Sequence, residues 1–333
     1  EENNVIMATV FNDSVIIHPP GFYITGLQTF PYIFLAFVYV VTLLFNCLVI
    51  YVIILNYCLH TPKFLAVGNL AVIDVILSTS IIPSMIKVFL IKDNFVPFNM
   101  CLVQIYVYYS FVSLESYALA ILAYDRLIAI CFPLHQNSIN ILRSMSYIIG
   151  LTWCFSLGIN GFGTGMMTRL SFCNSLKVFS YFCDYIPVYT LACNDYTMQI
   201  TVGTSLTFLI LIVPFTLICL SYISILVTVY RMKSLDSRVK ALGTCIEHII
   251  LVAVFYIPLI TIFIFALYLH FINADLPLLS MSLASCTPPC INPIVYSLKT
   301  KEIRNRALAL VRKTKIGTDQ LKKRHWRVVT RKM

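Results

Sequence analysis

Two carboxylates stand inside stretches of the chain that are otherwise apolar. Asp74 lies in GNLAVIDV and Glu115 in SLESYA, and two amides, Asn46 and Asn292, lie in apolar stretches of their own. Ionisable groups in such surroundings are costly and usually functional. If the two carboxylates lie at one depth, they need a shared proton or a cation such as sodium. The alternative is a static hydrogen-bonded network, worth roughly 0.6 kcal/mol per contact.

A second candidate is the pair Asp125 and Arg126 in LAYDRLIAICFPLH. Opposite charges at the end of an apolar helix are tolerated when paired and costly when separated. Such a pair can close when helices pack tightly and open when they part, which would make it a switch. The alternative is an Arg side chain that simply extends to the membrane interface.

No motif in the sequence predicts an enzyme or a cofactor. The chain has no GxSxG, no HExxH and no phosphate-binding glycine loop, and no Cys/His spacing matches a zinc site. Neither the internal repeats of a transporter nor the rings of a channel filter are recognisable. Residues 276–298 contain no Lys that could form a retinal Schiff base.

The elements that must position these residues are membrane-spanning helices. The chain is 59% hydrophobic and 11% charged, with a mean hydropathy of +0.86, whereas soluble domains are about 45–50% apolar and about 25% charged. Several uncharged runs exceed the ~20 residues that cross a bilayer as a helix. We therefore predict an all-α membrane protein of one domain, a seven-transmembrane helix bundle. Its predicted spans are 31–62, 64–89, 101–124, 145–166, 199–230, 241–271 and 276–298.

The distribution of basic residues predicts the orientation of the bundle. Of the 24 Lys and Arg residues, 13 lie from Lys299 onward, and seven more lie in loops on the same side. Because the basic side stays cytoplasmic, we expect an extracellular N-terminus (1–29), a receptor domain (30–298) and a cytoplasmic segment (299–333). The net charge of +10 then indicates membrane lipid as a partner rather than nucleic acid. Nothing in the sequence specifies an oligomer.

Both ends of the chain carry further expectations. Asn12 begins the sequon NDS, a glycosylation acceptor on the predicted outer side. We expect no cleaved signal peptide in the first 30 residues. After the last span, apolar residues recur at helical spacing among Lys and Arg, which predicts an amphipathic helix on the inner leaflet. These residues are Ile303, Ala307, Leu310 and Val311.

Four of the twelve cysteines fall on the predicted outer side. An even number in an oxidising compartment predicts two disulfides, with three possible connectivities. The other eight are expected to be reduced thiols. The outer four are Cys101, Cys173, Cys183 and Cys193.

Motifs along nearly the whole chain resemble those of rhodopsin-like G-protein-coupled receptors. Asn46, Asp74, Cys101, DRL at 125–127, Trp153, Pro214, Tyr222, Pro258 and NPIVY at 292–296 occur in the order of that family. The resemblance narrows to the olfactory receptors through LHTPKFLAVGNLAVIDV, LAYDRLIAICFPLHQNSI, SYISIL, KALGTCIEHII and PPCINPIVYSLKTKEIR. FYIPL at 255–259 favours the class I, fish-like branch. Lys63, Leu127 and Glu247 depart from the usual residues.

The resemblance implies a pocket and a switch. A small, mostly apolar odorant would bind between the outer halves of spans 3, 5, 6 and 7. The implied disulfides are Cys101–Cys183 and Cys173–Cys193. Activation would involve Asp125, Arg126, Tyr222, Asn292, Pro293 and Tyr296. The expected ligand-binding residues are Tyr108, Tyr109, Val112, Ser113, Ile186, Leu206, Thr207, Ile210, Tyr256, Ile260, Phe263 and Ser282.

The implied partner is a stimulatory, olfactory-type heterotrimeric G protein that raises cAMP. One alternative is a rhodopsin-like receptor for an endogenous metabolite outside the nose, and a more distant one is a channel or transporter. We expect a neutral or weakly polar ligand, because residues 101–113 contain no Asp or Glu and spans 5 to 7 carry no Lys or Arg in their outer halves. Arg169 or Lys177 in the outer loop would change that expectation if either reached the pocket.

Overall fold

The computed structural model describes residues 16–25, 32–88, 94–134, 136, 141–173, 175–268, 275–299 and 303–306. The first described element is strand β1 (Gly21–Ile24), followed by α1 (Tyr32–Leu55), α2 (Pro62–Ile86), β2 (Phe95–Pro97), α3 (Phe98–Cys131), α4 (Leu142–Met167), β3 (Lys177–Val178) and the short α5 (Tyr185–Tyr189). It continues through α6 (Thr197–Thr207), α7 (Val213–Arg231), α8 (Leu235–Tyr268) and α9 (Asp275–Lys299). Spans 1 to 4 are α1 to α4, span 5 is α6 with α7, span 6 is α8 and span 7 is α9.

The predicted all-α bundle is confirmed. Within the described residues, spans 1 to 6 are long and apolar enough to cross a membrane, and span 7 packs with them against spans 1, 2 and 6. Large apolar side chains face outward: Phe37, Leu44 and Ile223 are each more than half exposed. An outward surface of this kind suits lipid. The chain is therefore a multi-pass membrane protein.

Span 3 lies at the centre of the bundle. It packs against spans 2, 4, 5 and 6. In its most apolar 18-residue stretch, 72% of the residues are buried, compared with 17% for span 4. This position explains why its small and polar residues are functional candidates. A residue on almost any face of span 3 meets another helix rather than lipid.

A three-stranded sheet covers one end of the bundle. β1 pairs antiparallel with β2 and parallel with β3, and Phe22 and Ile24 on β1 are buried. Gly21 is required at the start of β1, because a Cβ there would overlap the carbonyl oxygen of Val96. We call this end, which carries all four paired cysteines, the disulfide end, and the other the Arg126 end.

Several helix boundaries differ from the sequence prediction. Span 3 continues to Cys131 and span 6 begins at Leu235, because charged residues at helix ends extend beyond the apolar core and their hydropathy does not reveal the helix. Span 1 ends earlier, at Leu55, and a turn of tighter helix follows at Tyr57–Leu59. Neither the sheet nor α5 was expected from the sequence.

Span 5 contains a local widening of the helix. Residues Phe208–Ile212 form a π-helical segment between α6 and α7. Two of its carbonyl groups are bonded by span 3: Tyr117 donates to the Leu209 oxygen at 2.9 Å and Ser116 donates to the Ile210 oxygen at 2.6 Å. Side-chain insertion of this kind commonly accompanies π segments, which are frequent at functional sites.

Candidate functional site

Asn292 joins the two buried carboxylates in the middle of the bundle. Its Nδ2 donates to Asp74 Oδ1 and to Glu115 Oε1, each at 3.1 Å. Asp74 Oδ2 and Glu115 Oε2 have no hydrogen-bond partner among the described protein groups. The structure thus brings together three of the polar residues singled out from the sequence. A shared proton or a single monovalent cation such as sodium would suit the two remaining oxygens.

Asn46 occupies a different place. Its Nδ2 donates to the carbonyl oxygens of Thr42 and Pro289, both at 3.0 Å. Because Pro289 lies in span 7, Asn46 ties span 1 to span 7. The Pro289 carbonyl has no helical donor, because the residue one turn later is Pro293, which lacks an N–H. Asn46 supplies that donor from span 1.

Ser116 is a junction between three spans. Its Oγ lies 2.6 Å from the Ile210 carbonyl of span 5 and 2.7 Å from the Tyr256 hydroxyl of span 6. A carbonyl only accepts, so Ser116 donates to Ile210 and Tyr256 donates to Ser116. Phe215 also packs on Tyr256, with ring centroids 4.9 Å apart. We call the hydrogen-bonded residues Ser116, Ile210 and Tyr256 the Ser116 junction.

Two cavities lie toward the disulfide end. The central cavity, about 120 Å³, lies between spans 3, 5, 6 and 7 under the loop that precedes span 5. It is lined by Tyr108, Tyr109, Val112, Asp184, Ile186, Thr207, Ile210, Leu211, Leu259, Ile262 and Met281.

The lateral cavity, about 320 Å³, lies between spans 3, 4 and 5. It shares Tyr109, Ile186, Thr207 and Ile210 with the central cavity. The residues found only in its own lining are Ile105, Asn160, Gly163, Thr164, Tyr185, Tyr189, Gln199, Ile200, Gly203, Thr204 and Leu206. Together the cavities approach the size and mixed lining of small-molecule sites.

The expected ligand-binding residues are divided between these cavities and other places. Six line the central cavity: Tyr108, Tyr109, Val112, Ile186, Thr207 and Ile210. Leu206 lines the lateral cavity. Tyr256 belongs to the Ser116 junction, whereas Ser282 is buried beside Met281 without lining either cavity.

The remaining three expected ligand residues are Ser113, Ile260 and Phe263. Ser113 donates to Ser156 of span 4 at 3.1 Å, so it serves packing between spans 3 and 4. Ile260 lies on the outward side of span 6 and is 38% exposed, while Leu259 and Ile262 face the central cavity. The Phe263 side chain lies outside the described residues.

Asp184 is a site residue that the sequence reading overlooked. It is buried, lines the central cavity and accepts at Oδ1 from the Tyr109 hydroxyl (2.6 Å) and the Tyr185 amide (2.8 Å). Burial raises the pKa of Asp184 to about 6, although both hydrogen bonds lower it. Its place after Cys183 was the available signal, because the expected disulfide holds that residue over span 3. Arg169 and Lys177 are exposed and line neither cavity.

The loop that carries Asp184 is held to span 3. Cys183 is joined to Cys101 and Cys173 to Cys193, the pairs that the resemblance implied. Gln104 Oε1 also accepts from the Cys183 amide at 3.0 Å. A second residue that the sequence reading overlooked, Gln199, lies in the first turn of span 5 and donates to the Met166 carbonyl at 2.9 Å.

At the Arg126 end, spans 3, 5 and 6 meet. Tyr222 of span 5 and His248 of span 6 lie 2.7 Å apart, hydroxyl to Nδ1, and the half-buried Arg126 guanidinium is near both. His248 was overlooked within KALGTCIEHII. Asp125 is buried beside Arg126.

The remaining expected switch residues lie in span 7. Pro293 follows Asn292 inside α9, and the Tyr296 side chain lies outside the described residues. Asn12 and most of the expected helix after span 7 also lie outside them, although Ile303 itself is buried.

Comparisons with known proteins converge on one family. A family model described as "Olfactory receptor" matches residues 35–313. Human olfactory receptor 5B12 is 34% identical over 85% of this chain and 90% of its own length. Human olfactory receptor 52B2 is 33% identical over 89% and 92%, and mouse olfactory receptor 51E2 is 33% identical over 82% and 85%.

Proposed function

Because this chain belongs to the olfactory receptor family of rhodopsin-like G-protein-coupled receptors, we propose that it is an odorant receptor that raises cAMP through a stimulatory, olfactory-type G protein. The family is not enzymatic, and its members bind odorants and couple to G proteins. Within the family, FYIPL favours the class I branch.

The orientation follows from charge. Arg126, Arg143, Arg231 and Lys299 lie at the Arg126 end, and 12 more basic residues follow Lys299 in the sequence. We therefore orient that end toward the cytoplasm. The disulfide end then faces an oxidising compartment, as two disulfides require. The chain after residue 299, including its proposed amphipathic helix, would lie against anionic lipid of the inner leaflet.

The observation that carries the proposal is the position of the Ser116 junction beside the cavities. Ile210 lines both cavities with its side chain and accepts from Ser116 with its carbonyl. Tyr256, on span 6, donates to the same Ser116 hydroxyl. An odorant that moves Ile210 therefore disturbs a bond that holds span 6 to span 3.

The signal would leave through the Arg126 end. An agonist favours the state in which span 6 has swung outward. The Tyr222–His248 contact joins spans 5 and 6 next to Arg126, so it must change when span 6 moves. Arg126 then leaves Asp125 and the opened face accepts the G protein.

The test is the cAMP response of transfected cells to a panel of odorants. We expect at least one neutral odorant to raise cAMP in cells that express the wild-type chain, and no response with Arg126→Ala at equal surface expression. A signal that persists in Arg126→Ala would contradict the proposed switch. A response that requires a different G-protein class would contradict the proposed coupling.

A further inference from the structure

The lateral cavity contains a buried side-chain amide whose nitrogen has a hydrogen-bond partner and whose oxygen has none among the described protein groups. Gln199 is 3% exposed and lines this cavity. Its Nε2 donates to the Met166 carbonyl at 2.9 Å, whereas its Oε1 has no hydrogen-bond partner among the described protein groups. A buried acceptor left without a donor destabilises the folded protein, so a ligand that donates to Gln199 Oε1 would relieve this cost.

The orientation of this amide is fixed by its partner. A backbone carbonyl can only accept a hydrogen bond, so the Gln199 atom that faces the Met166 oxygen must be the nitrogen. The oxygen consequently points the other way and presents an acceptor. A ligand that donates a hydrogen bond would therefore complement this site.

The described lining of the lateral cavity carries no charged side chain, and two glycines enlarge the space inside it. No Asp, Glu, Lys, Arg or His is among its described lining residues. Two glycines widen it: a Cβ at Gly163 would come within 2.6 Å of Leu206 Cδ1, and a Cβ at Gly203 within 3.0 Å of Tyr185 Cε1. An ionised ligand would find no counter-charge in this lining.

We propose that the lateral cavity binds neutral apolar alcohols, whose hydroxyl donates to Gln199 Oε1 while the hydrocarbon contacts the walls. The inference rests on the proposed odorant-receptor function and names the ligand class. A site built to bond a hydroxyl rejects an analogue without one, because the buried acceptor is then unpaired. Ethers and ketones have no such donor. Carboxylates and ammonium ions bring a charge that this lining does not balance.

The experiment uses the full-length receptor purified in detergent and measures thermal stabilisation by octanol and by methyl heptyl ether, which has the same atoms. We expect octanol to reach half-maximal stabilisation at a concentration about tenfold lower than the ether, the ratio that about 1.4 kcal/mol gives. Gln199→Met should abolish the difference between the two compounds. Thr201→Val, on the same helix but exposed and outside both cavities, should preserve it.

Several outcomes would overturn the inference. Equal stabilisation of the wild-type receptor by octanol and ether, which needs no variant, would show that Gln199 Oε1 does not select for a hydroxyl donor. Failure of octanol to stabilise the wild type, or an unchanged preference in Gln199→Met, would also overturn it. Because binding is read without signalling, an alcohol preference with no cAMP response would contradict the proposed coupling and leave the binding site intact.

Discussion

Replacing Asp184 with Asn tests the electrostatic state of the loop over the central cavity. Burial raises the pKa of Asp184 from an ordinary value of 3.8 to about 6. The folded receptor therefore holds this proton more tightly than the unfolded chain does. Its contribution to stability is largest at acid pH, falls as the pH rises from 3.8 to about 6, and is constant above that. Asn can keep the bonds from Tyr109 and Tyr185 without ever becoming charged.

The size of the effect follows from the two pKa values. A shift from 3.8 to about 6 in the pKa of Asp184 corresponds to about 3 kcal/mol over the whole window. Between about pH 5 and about pH 7.5 the linkage relation assigns about 1.4 kcal/mol of that loss to the wild type. Asp184→Asn should escape it, so the variant should gain about that much relative to the wild type across this interval.

The assay is thermal or denaturant unfolding of the purified receptor at both pH values. The wild-type minus variant difference isolates Asp184, because all other titrating groups are common to the two proteins. Asp195→Asn is the matched control: Asp195 is exposed and hydrogen bonds from Thr197 lower its pKa, so it is ionised throughout the interval. A difference that stays constant between the two pH values, or a loss of relative stability by Asp184→Asn as the pH rises, would refute the reasoning.

Three further predictions concern the bundle. Arg126→Ala should abolish ligand-driven cAMP at normal surface expression, and normal signalling would show that the guanidinium is only an interfacial anchor. Asn292→Leu should lower the free energy of unfolding by about 2–3 kcal/mol, since Asp74 and Glu115 both lose a donor; unfolding that matches the wild type would show that the carboxylates are satisfied otherwise. Trp153→Phe should cost about 1 kcal/mol through loss of its 2.8 Å indole bond to span 2, and a cost that persists when the span 2 acceptor is also removed would assign it to packing instead.

The helix bundle could be predicted from the sequence because membrane-spanning helices appear as long runs without charged residues. Uncharged runs mark spans whatever their neighbours are, and for the same reason the rare carboxylates Asp74 and Glu115 stood out. Helix ends were less readable, because span 6 begins at Leu235 among charged residues. The sheet was not readable, since β1 and β3 are short and their pairing depends on contacts far apart in the chain.

The residues that line the cavities could be predicted only in part, because the sequence does not fix which face of each helix points inward. The part of span 6 after His248 carries no charged residue, so periodicity does not mark its inward face. Ile260 was predicted to face inward, whereas Leu259 and Ile262 face the cavity. In span 5 the π segment at Phe208–Ile212 changes the helical register. Asp184 lies in a loop without periodicity, where its position next to Cys183 was the one sequence signal.

The order of biosynthesis delays completion of the sheet at the disulfide end. β1 is synthesised about 150 residues before its partner strand β3, at Lys177–Val178. At about 5–20 residues per second, synthesis reaches β3 roughly 8 to 30 seconds after β1. During this interval the surface that buries Phe22 and Ile24 in the folded protein is incomplete, although β2 is already available to pair with β1. Variants that slow insertion of spans 2 to 4 would therefore lengthen the period in which the nascent chain is recognised as unfinished and retained.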